Sequence, residues 1–214
     1  AEPMAGRVQA ARHRPHARAA GETALGHEDE LALHNAYQAS IFDEKSGFFA
    51  SPQATPPSVA RKMRRIAQAC QLNGQTSVLD VATGTGALLP FYAEEGASLS
   101  AVTGVDLSGG MLGYAKERFP EASFVQGDII DFAGKGGGRF DRVVFNACFG
   151  NLWKPVEVLR HVADSLVASG GLVVLSHPLG RHWHEDLRRQ DTRMVPHELP
   201  GKRELQLLID AHLP

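Results

Sequence analysis

Three carboxylates and one glycine turn carry most of the chemistry that can be read in this sequence. Asp80 lies near the end of an apolar, β-branched stretch, Asp106 ends a second such stretch, and Asp128 stands just past a third. Between the first and second comes Thr83-Gly84-Thr85-Gly86, where glycines permit positive φ and let a ligand approach bare backbone. A carboxylate at a second strand's tip, about 20 residues past such a turn, can accept both hydroxyls of a ribose. One after a third strand, flanked by Phe124 and Ile129, suits the exocyclic amine of an adenine held between apolar groups. A single acid in such a place reads first as an N-cap or loop carboxylate. Three in register with a glycine turn read as nucleoside binding.

The elements that must position these groups alternate. Ser77 to Val81 has the character of a strand buried on both faces, and Ala87, Leu88 and Phe91 follow the glycines at helical spacing, so that the helix aims its free N–H groups at whatever occupies the turn. Leu99 to Val105 reads as the second strand, Ser108 as the N-cap of a helix carrying Met111, Leu112, Ala115 and Phe119, and Ala122 to Gln126 as the third strand. An irregular link rich in glycine leads to strand four, Arg139 to Asn146. A helix from Pro155 to Val167, stopped by Gly170-Gly171, leads to strand five, Leu172 to Ser176. Helices follow near Arg181 to Arg189 and from Lys202 to Ala211. This alternation predicts an α/β, Rossmann-like, doubly wound parallel sheet of five strands, with ligand at the strands' carboxyl ends.

Spacing excludes two common phosphate binders. A dinucleotide fingerprint needs glycine where Leu89 stands, and no Gly-Lys-Ser/Thr is present for a P-loop. The form Asp80-Val81-Ala82-Thr83-Gly84-Thr85-Gly86 instead resembles motif I of the class I S-adenosylmethionine (SAM) dependent methyltransferases, with Ala82 where the family often keeps a first glycine. The resemblance runs from Ser77 to Ser176. It implies that Asp106 holds the ribose, that Asp128 meets the adenine amine after Gly127, and that Leu107 and Ile129 bracket the ring. It also implies that Gly84, Thr85 and Gly86 carry the methionine part near Asp80 and Ala82, that Met111 lines the same cradle, and that Asn146 faces the methyl donor. More narrowly, Phe145 to Asn151, Ser176 to His184 and Met194 to His197 are similar to plant and algal plastid-type methyltransferase-like proteins.

The implied reaction is in-line attack on a sulfonium methyl, for which the protein mainly orients two partners and excludes water. His177 and His184 are candidate bases for a nucleophile that carries a proton, and Arg181 is a candidate clamp for an anionic acceptor. With ten histidines in the chain, each of these two reads first as a core or surface residue. A zinc site from His177, His182 and His184 lacks cysteine company, and no metal is expected. Asn146-Ala147-Cys148-Phe149 does not match the Asn/Asp-Pro-Pro-aromatic signature of amino-directed DNA methyltransferases, so the acceptor is expected to be a small molecule or a protein rather than DNA. Nothing near Cys148 lowers its pKa for nucleophilic work.

Composition bounds the rest. A chain of 214 residues with a formal charge of −2 builds one core and gives no bulk electrostatic pull toward nucleic acid or membrane. Two cysteines in apolar patterns fit a reducing compartment, and no apolar run approaches the ~20 residues that span a bilayer. Residues 1–21 read as a basic flexible tail or as the remnant of an organellar transit sequence, which with the narrower resemblance points to a plastid, and otherwise to a mitochondrion or the cytoplasm. Residues 22–57 read as a cap: a helix from Glu28 to Phe42, then a loop from Asp43 to Pro57. Tyr37, Phe42, Phe48 and Phe49 are lid aromatics or core plugs. Residues 58–214 form the SAM-binding domain, opening with an amphipathic helix from Ser58 to Leu72. The family's sheet ordinarily continues with an antiparallel pair, for which no residues remain before Pro214. The expectation is that the native chain is longer or that a partner covers the edge along Leu172 to Ser176, the latter allowing a methyltransferase-like subunit kept as a structural piece of an assembly.

Overall fold

A computed structural model describes residues 26–212. The basic segment 1–21 lies outside the described residues. The sheet has five parallel strands: β1 (Val78–Val81), β2 (Val102–Asp106), β3 (Ser123–Gln126), β4 (Phe140–Asn146) and β5 (Val167–Ser176), in the order β3-β2-β1-β4-β5. Order reverses between β1 and β4, which opens a crevice at their carboxyl ends.

Side chains of successive residues leave the sheet on opposite faces. Leu79, Val81, Val105, Val143 and Phe145 enter one core with Val158, Leu159, Val162 and Leu166 of a helix, α6 (Pro155–Leu166). Val78, Val102 and Val144 enter the other. There they meet Val59 and Met63 of α2 (Pro57–Ala69) and Phe91 and Tyr92 of α3 (Leu89–Glu94). Both faces are covered, as the buried strands require.

Several boundaries differ from expectation: a 3₁₀ turn (Leu99–Ala101) takes the expected start of the second strand, α2 ends at Ala69, and four further differences have a clear physical reason. The first helix, α1 (His27–Ala50), runs through the span expected to be loop, and a 3₁₀ turn (Pro52–Ala54) follows. Tertiary bonds hold the extra turns: Asp43 Oδ1 accepts from the hydroxyl of Ser108 at 2.5 Å and from Gly110 N at 2.8 Å, at the start of α4 (Gly109–Arg118). The helix after the glycines, α3, begins only at Leu89, because residues 82–88 turn first. The link after β3 contains a short helix, α5 (Ile129–Gly134), N-capped by Asp128. Finally, α6 ends at Leu166. Gly170 and Gly171 lie within β5, at a register shift opposite Phe140 and Arg142, so they accommodate a bulge rather than stop a helix. Beyond β5 come α7 (Gly180–Gln190) and α8 (Lys202–His212). Among the described residues β5 pairs on one side, with β4.

Candidate functional site

The carboxyl ends of all five strands open on one cavity of about 750 Å³, within the range of small-molecule sites. Parallel strands lie about 4.8 Å apart, so the tips from β3 to β5 form a ruler of roughly 19 Å. Gly127 and Asp128 stand at the β3 end, then Asp106 and Leu107 at β2, Ala82 to Thr85 at β1, Asn146 at β4 and His177 just past β5.

Asp106 joins two of these positions. Its Oδ2 accepts from Gly84 N and its Oδ1 from Ser108 N, both at 2.8 Å. Each oxygen therefore keeps a lone pair for a further donor. Burial raises its pKa from the ordinary carboxylate value, opposed by those backbone donors. Asp128 accepts from Ile130 N at 2.8 Å, as the cap of α5, and from the amide of Asn35 at 3.1 Å. Asp128 thus both caps α5 and lines the cavity. Ser108 caps α4 as the sequence predicts, accepting from Met111 N at 3.0 Å, and this sets Met111 against the cavity. Leu107, Gly127 and Ile129 line the same end.

Two residues of the glycine motif lie elsewhere. Asp80 does not line the cavity. It is 3% exposed, and its carboxylate accepts from Thr83 at 2.7 Å and from the Tyr92 hydroxyl at 3.3 Å. Strand parity explains this: Asp80 shares the face of Val78, toward α3, and supports the turn from beneath. Burial pushes its pKa up to about 7, against the pull of the Thr83 and Tyr92 hydrogen bonds. Gly86 also lies off the cavity. Its φ is 74°, and a Cβ there would stand 2.9 Å from the Phe119 ring, so the glycine is needed for packing and conformation. Gly84 does face the cavity, at φ 57°. Ala82 and Ala147, after β1 and β4, hold φ 53° and 59°, a left-handed backbone that alanine adopts only under constraint.

Asn146 ends β4 with its Oδ1 accepting from the Ser176 hydroxyl at 3.0 Å, while its amide nitrogen reaches only the Met63 sulfur, at 3.6 Å. Beyond it the cavity widens toward His177 and His184. His184 is 2% exposed, and neither ring nitrogen has a hydrogen-bond partner. His177 is driven down to about 4 by burial, with the charges of His184 and Lys62 adding to the effect. Arg181 is exposed and does not line the cavity, which corrects its expected role as an acceptor clamp. It sits on the outer side of α7's first turn. Burial raises both thiols, Cys70 to about 12, leaving neither Cys70 nor Cys148 a nucleophile. Among the described residues no group of His, Cys, Asp and Glu is placed to hold a metal ion, and no helix is long and apolar enough to cross a membrane.

Part of the cavity wall comes from α1. His34, Asn35 and Gln38 of α1 line the cavity, as do Phe42, Phe48 and Phe49. Tyr37 does not; it donates to Asp191 at 2.5 Å and lies under Arg193. Gln38, 4% exposed, donates to the carbonyls of Arg193 and Met194 at 3.1 and 2.9 Å, and Thr85 donates to Phe49 O at 3.2 Å. Sequence reasoning missed Asn35, Asp43, Trp153 and His161 as site-forming residues. Polar residues at 34, 35 and 38, on one helical face, were the available signal.

Residues 78–170 match the family model described as the methyltransferase domain. The chain is 35% identical over 103 residues to the dTDP-3-amino-3,4,6-trideoxy-alpha-D-glucopyranose N,N-dimethyltransferase of Streptomyces venezuelae, a match covering 47% of this chain and 41% of that one. It spans about half the length of the curated relatives it matches, for example 53% of a demethylmenaquinone methyltransferase of Paenarthrobacter aurescens. Among solved structures, the methyltransferase bound to the Trm112 methyltransferase activator of Haloferax volcanii superposes with a TM-score of 0.63 at 17% identity, over 79% of this chain and 74% of that one. At this identity the likeness is one of fold. The stretch that matches the methyltransferase-domain model, residues 78–170, carries strands β1 to β4 and the tips that line the cavity.

Proposed function

We propose that the chain is a SAM-dependent methyltransferase acting on a small-molecule or protein acceptor. The observation that carries the reading is the ruler of strand tips along one cavity. Asp128 and Asp106 supply acceptors at adjacent tips, and the open backbone of Gly84 and an amide at Asn146 follow at the next two. The residues fit the cofactor. Asp106 retains one lone pair per oxygen for two ribose hydroxyls, Leu107 and Ile129 flank the adenine position, and a Cβ at Gly84 would meet nothing closer than the Met111 sulfur at 3.9 Å.

When bound, SAM supplies a methyl group already activated as a sulfonium. The chain's own residues bind, orient and shield. Asp106 fixes the sugar, Gly84 leaves room for the amino-acid part, and Asn146 sits at the β1–β4 switch point where methyl and acceptor meet. The cap aromatics Phe42, Phe48 and Phe49 limit water. Calorimetry with S-adenosylhomocysteine tests the reading: one site per chain is expected, lost in Asp106→Ala.

A second reading is favoured by one observation. The ten-residue strand β5 is an edge among the described residues, paired on one side, and such edges recruit strands from other chains. A subunit seated along Leu172–Ser176 would be seen as a stable complex in cross-linking of the native protein. A protein that binds S-adenosylhomocysteine and runs as a monomer in extract excludes this reading. Residence in a plastid rests on the motif resemblance and on segment 1–21, and import of the tagged full-length precursor into isolated plastids checks it.

A further inference from the structure

The end of the cavity beyond Asn146 has a chemistry of its own. Five side chains lining the cavity carry a buried polar atom that has no hydrogen-bond partner: Gln38 Oε1, Trp153 Nε1, His161 Nε2 and, past the tips of β4 and β5, His177 Nδ1 and both nitrogens of His184. Buried polar groups are ordinarily satisfied, and leaving them unpaired is costly. A ligand that pairs with them is therefore favoured. The walls are flat rings. Trp153 lies 5.3 Å from His34, Trp183 lies 5.7 Å from His177, and His177 meets His184 edge-on at 5.5 Å.

The cations around this chamber are exposed, Lys62 near His177 among them. Lys154 pairs with Glu157 at 3.2 Å, both side chains more than a third exposed, and Arg160 is exposed. Burial lowers the pKa of His34, His177 and His184 and so favours their neutral imidazoles. A carboxylate or an ammonium would enter without a buried counter-charge, which the chamber disfavours. A hydroxyl on a flat, uncharged ring fits instead. It donates to an imidazole nitrogen, accepts from the Asn146 amide, and stacks on the rings.

We propose that this chamber takes an uncharged hydroxyaromatic acceptor of the phenol class, methylated on oxygen, with its hydroxyl held between Asn146 and His177. The inference rests on the reading that the β2–β3 end holds SAM. Ser176 pairs with Asn146 in the sheet, so His177 projects one residue past the tip next to the methyl position. In the step, the hydroxyl oxygen forms the new O–C bond to the methyl carbon. The C–S bond breaks with its electron pair remaining on sulfur, which leaves as a neutral thioether. The hydroxyl proton passes to His177 Nδ1, and the imidazolium returns it to solvent. This requires the His177 tautomer that carries its proton on Nε2.

The test uses the purified chain and three probes on one ring: 4-methylcatechol, 4-methylbenzoate and 4-methylbenzylammonium. Trp153 and Trp183 are the chain's two tryptophans, both line the cavity and Trp183 stands against His177, so their fluorescence reports occupancy. The catechol is expected to bind at least about tenfold more tightly than either charged probe, with SAM to yield a monomethyl ether by mass spectrometry. Tighter or equal binding of a charged probe, or no response to the catechol, overturns the proposal. Calorimetry with S-adenosylhomocysteine on the same sample separates the two readings. Heat from it without catechol binding defeats the chamber alone, and catechol binding without it defeats the donor site alone. His177→Gln keeps S-adenosylhomocysteine affinity and slows methyl transfer about a hundredfold; an unchanged rate overturns the proton's assigned path. Should that variant fail to fold, the probe series on the unmodified chain still decides.

Discussion

The Asp106 carboxylate and the backbone of Gly84 are joined by a 2.8 Å hydrogen bond from the glycine N–H. The acid at the tip of β2 therefore sets the shape of the turn after β1, the same turn that must leave space for a ligand. With Oδ1 on Ser108 N, one side chain ties three consecutive features of the site together.

Replacing that acid tests the tie. In Asp106→Asn one oxygen becomes an NH₂ group facing a backbone N–H, a donor against a donor. Affinity for S-adenosylhomocysteine is expected to fall at least about tenfold, and stability by roughly 1–3 kcal/mol. Calorimetry and urea unfolding measure the two losses separately, and unchanged values in both would remove Asp106 from the site.

Ala82 offers a prediction of the opposite sign. At φ 53° alanine carries a left-handed penalty of about 1–2 kcal/mol, partly offset because glycine costs more chain entropy on folding, about 0.5–1 kcal/mol. Ala82→Gly is expected to stabilise the fold by roughly 0.5 kcal/mol while preserving cofactor affinity. Urea midpoints at constant m-value read the effect, and a lower midpoint would show that the backbone there is unstrained.

Two buried groups give stability opposing slopes with pH. Asp80, raised from 3.8 to about 7 by burial, binds its proton more tightly when folded, so its contribution is lost as pH rises through that window. His177, lowered from 6.5 to about 4 by burial, is protonated more readily when unfolded, so its contribution is lost as pH falls through its own window. The slopes nearly cancel between pH 4 and 6.5. Asp80→Asn is expected to leave stability falling with acidification, and His177→Gln to leave it falling with rising pH. Melting temperatures across that range distinguish the two, and identical slopes in both variants would contradict the assignment.

Gly150 is a packing prediction. A Cβ there would overlap the His184 ring and stand 2.9 Å from His197 O. Gly150→Ala is expected to cost about 1–3 kcal/mol and to displace His184, seen as a weakened response of tryptophan fluorescence to chamber ligands. Wild-type stability together with wild-type fluorescence would show that His184 moves aside freely.

Much of this fold is legible in the residues. Val78, Leu79, Val143, Val144 and Phe145 are apolar on both parities because both sheet faces are covered, and Ser108 announces its helix by its own side chain. The misplacements come where local pattern is silent. Asp80 belongs to the glycine motif by spacing, yet parity turns it to the face of Tyr92, beneath the turn. The far end of α1 looks like loop because its holding contacts, such as Asp43 to Ser108, join residues distant in sequence. Gly170 and Gly171 read as a helix stop until the register slip in β5 shows what they accommodate. The chamber's tryptophans and His161 come from separated segments, and tertiary packing alone assembles them.

A crystal structure of the chain soaked with S-adenosylhomocysteine tests the central claim most directly. The account predicts adenine between Leu107 and Ile129, both ribose hydroxyls on Asp106, and the sulfur at the β1–β4 tips beside Asn146. Density for the nucleoside at the His177 end, or an empty cleft at saturating ligand, would contradict it.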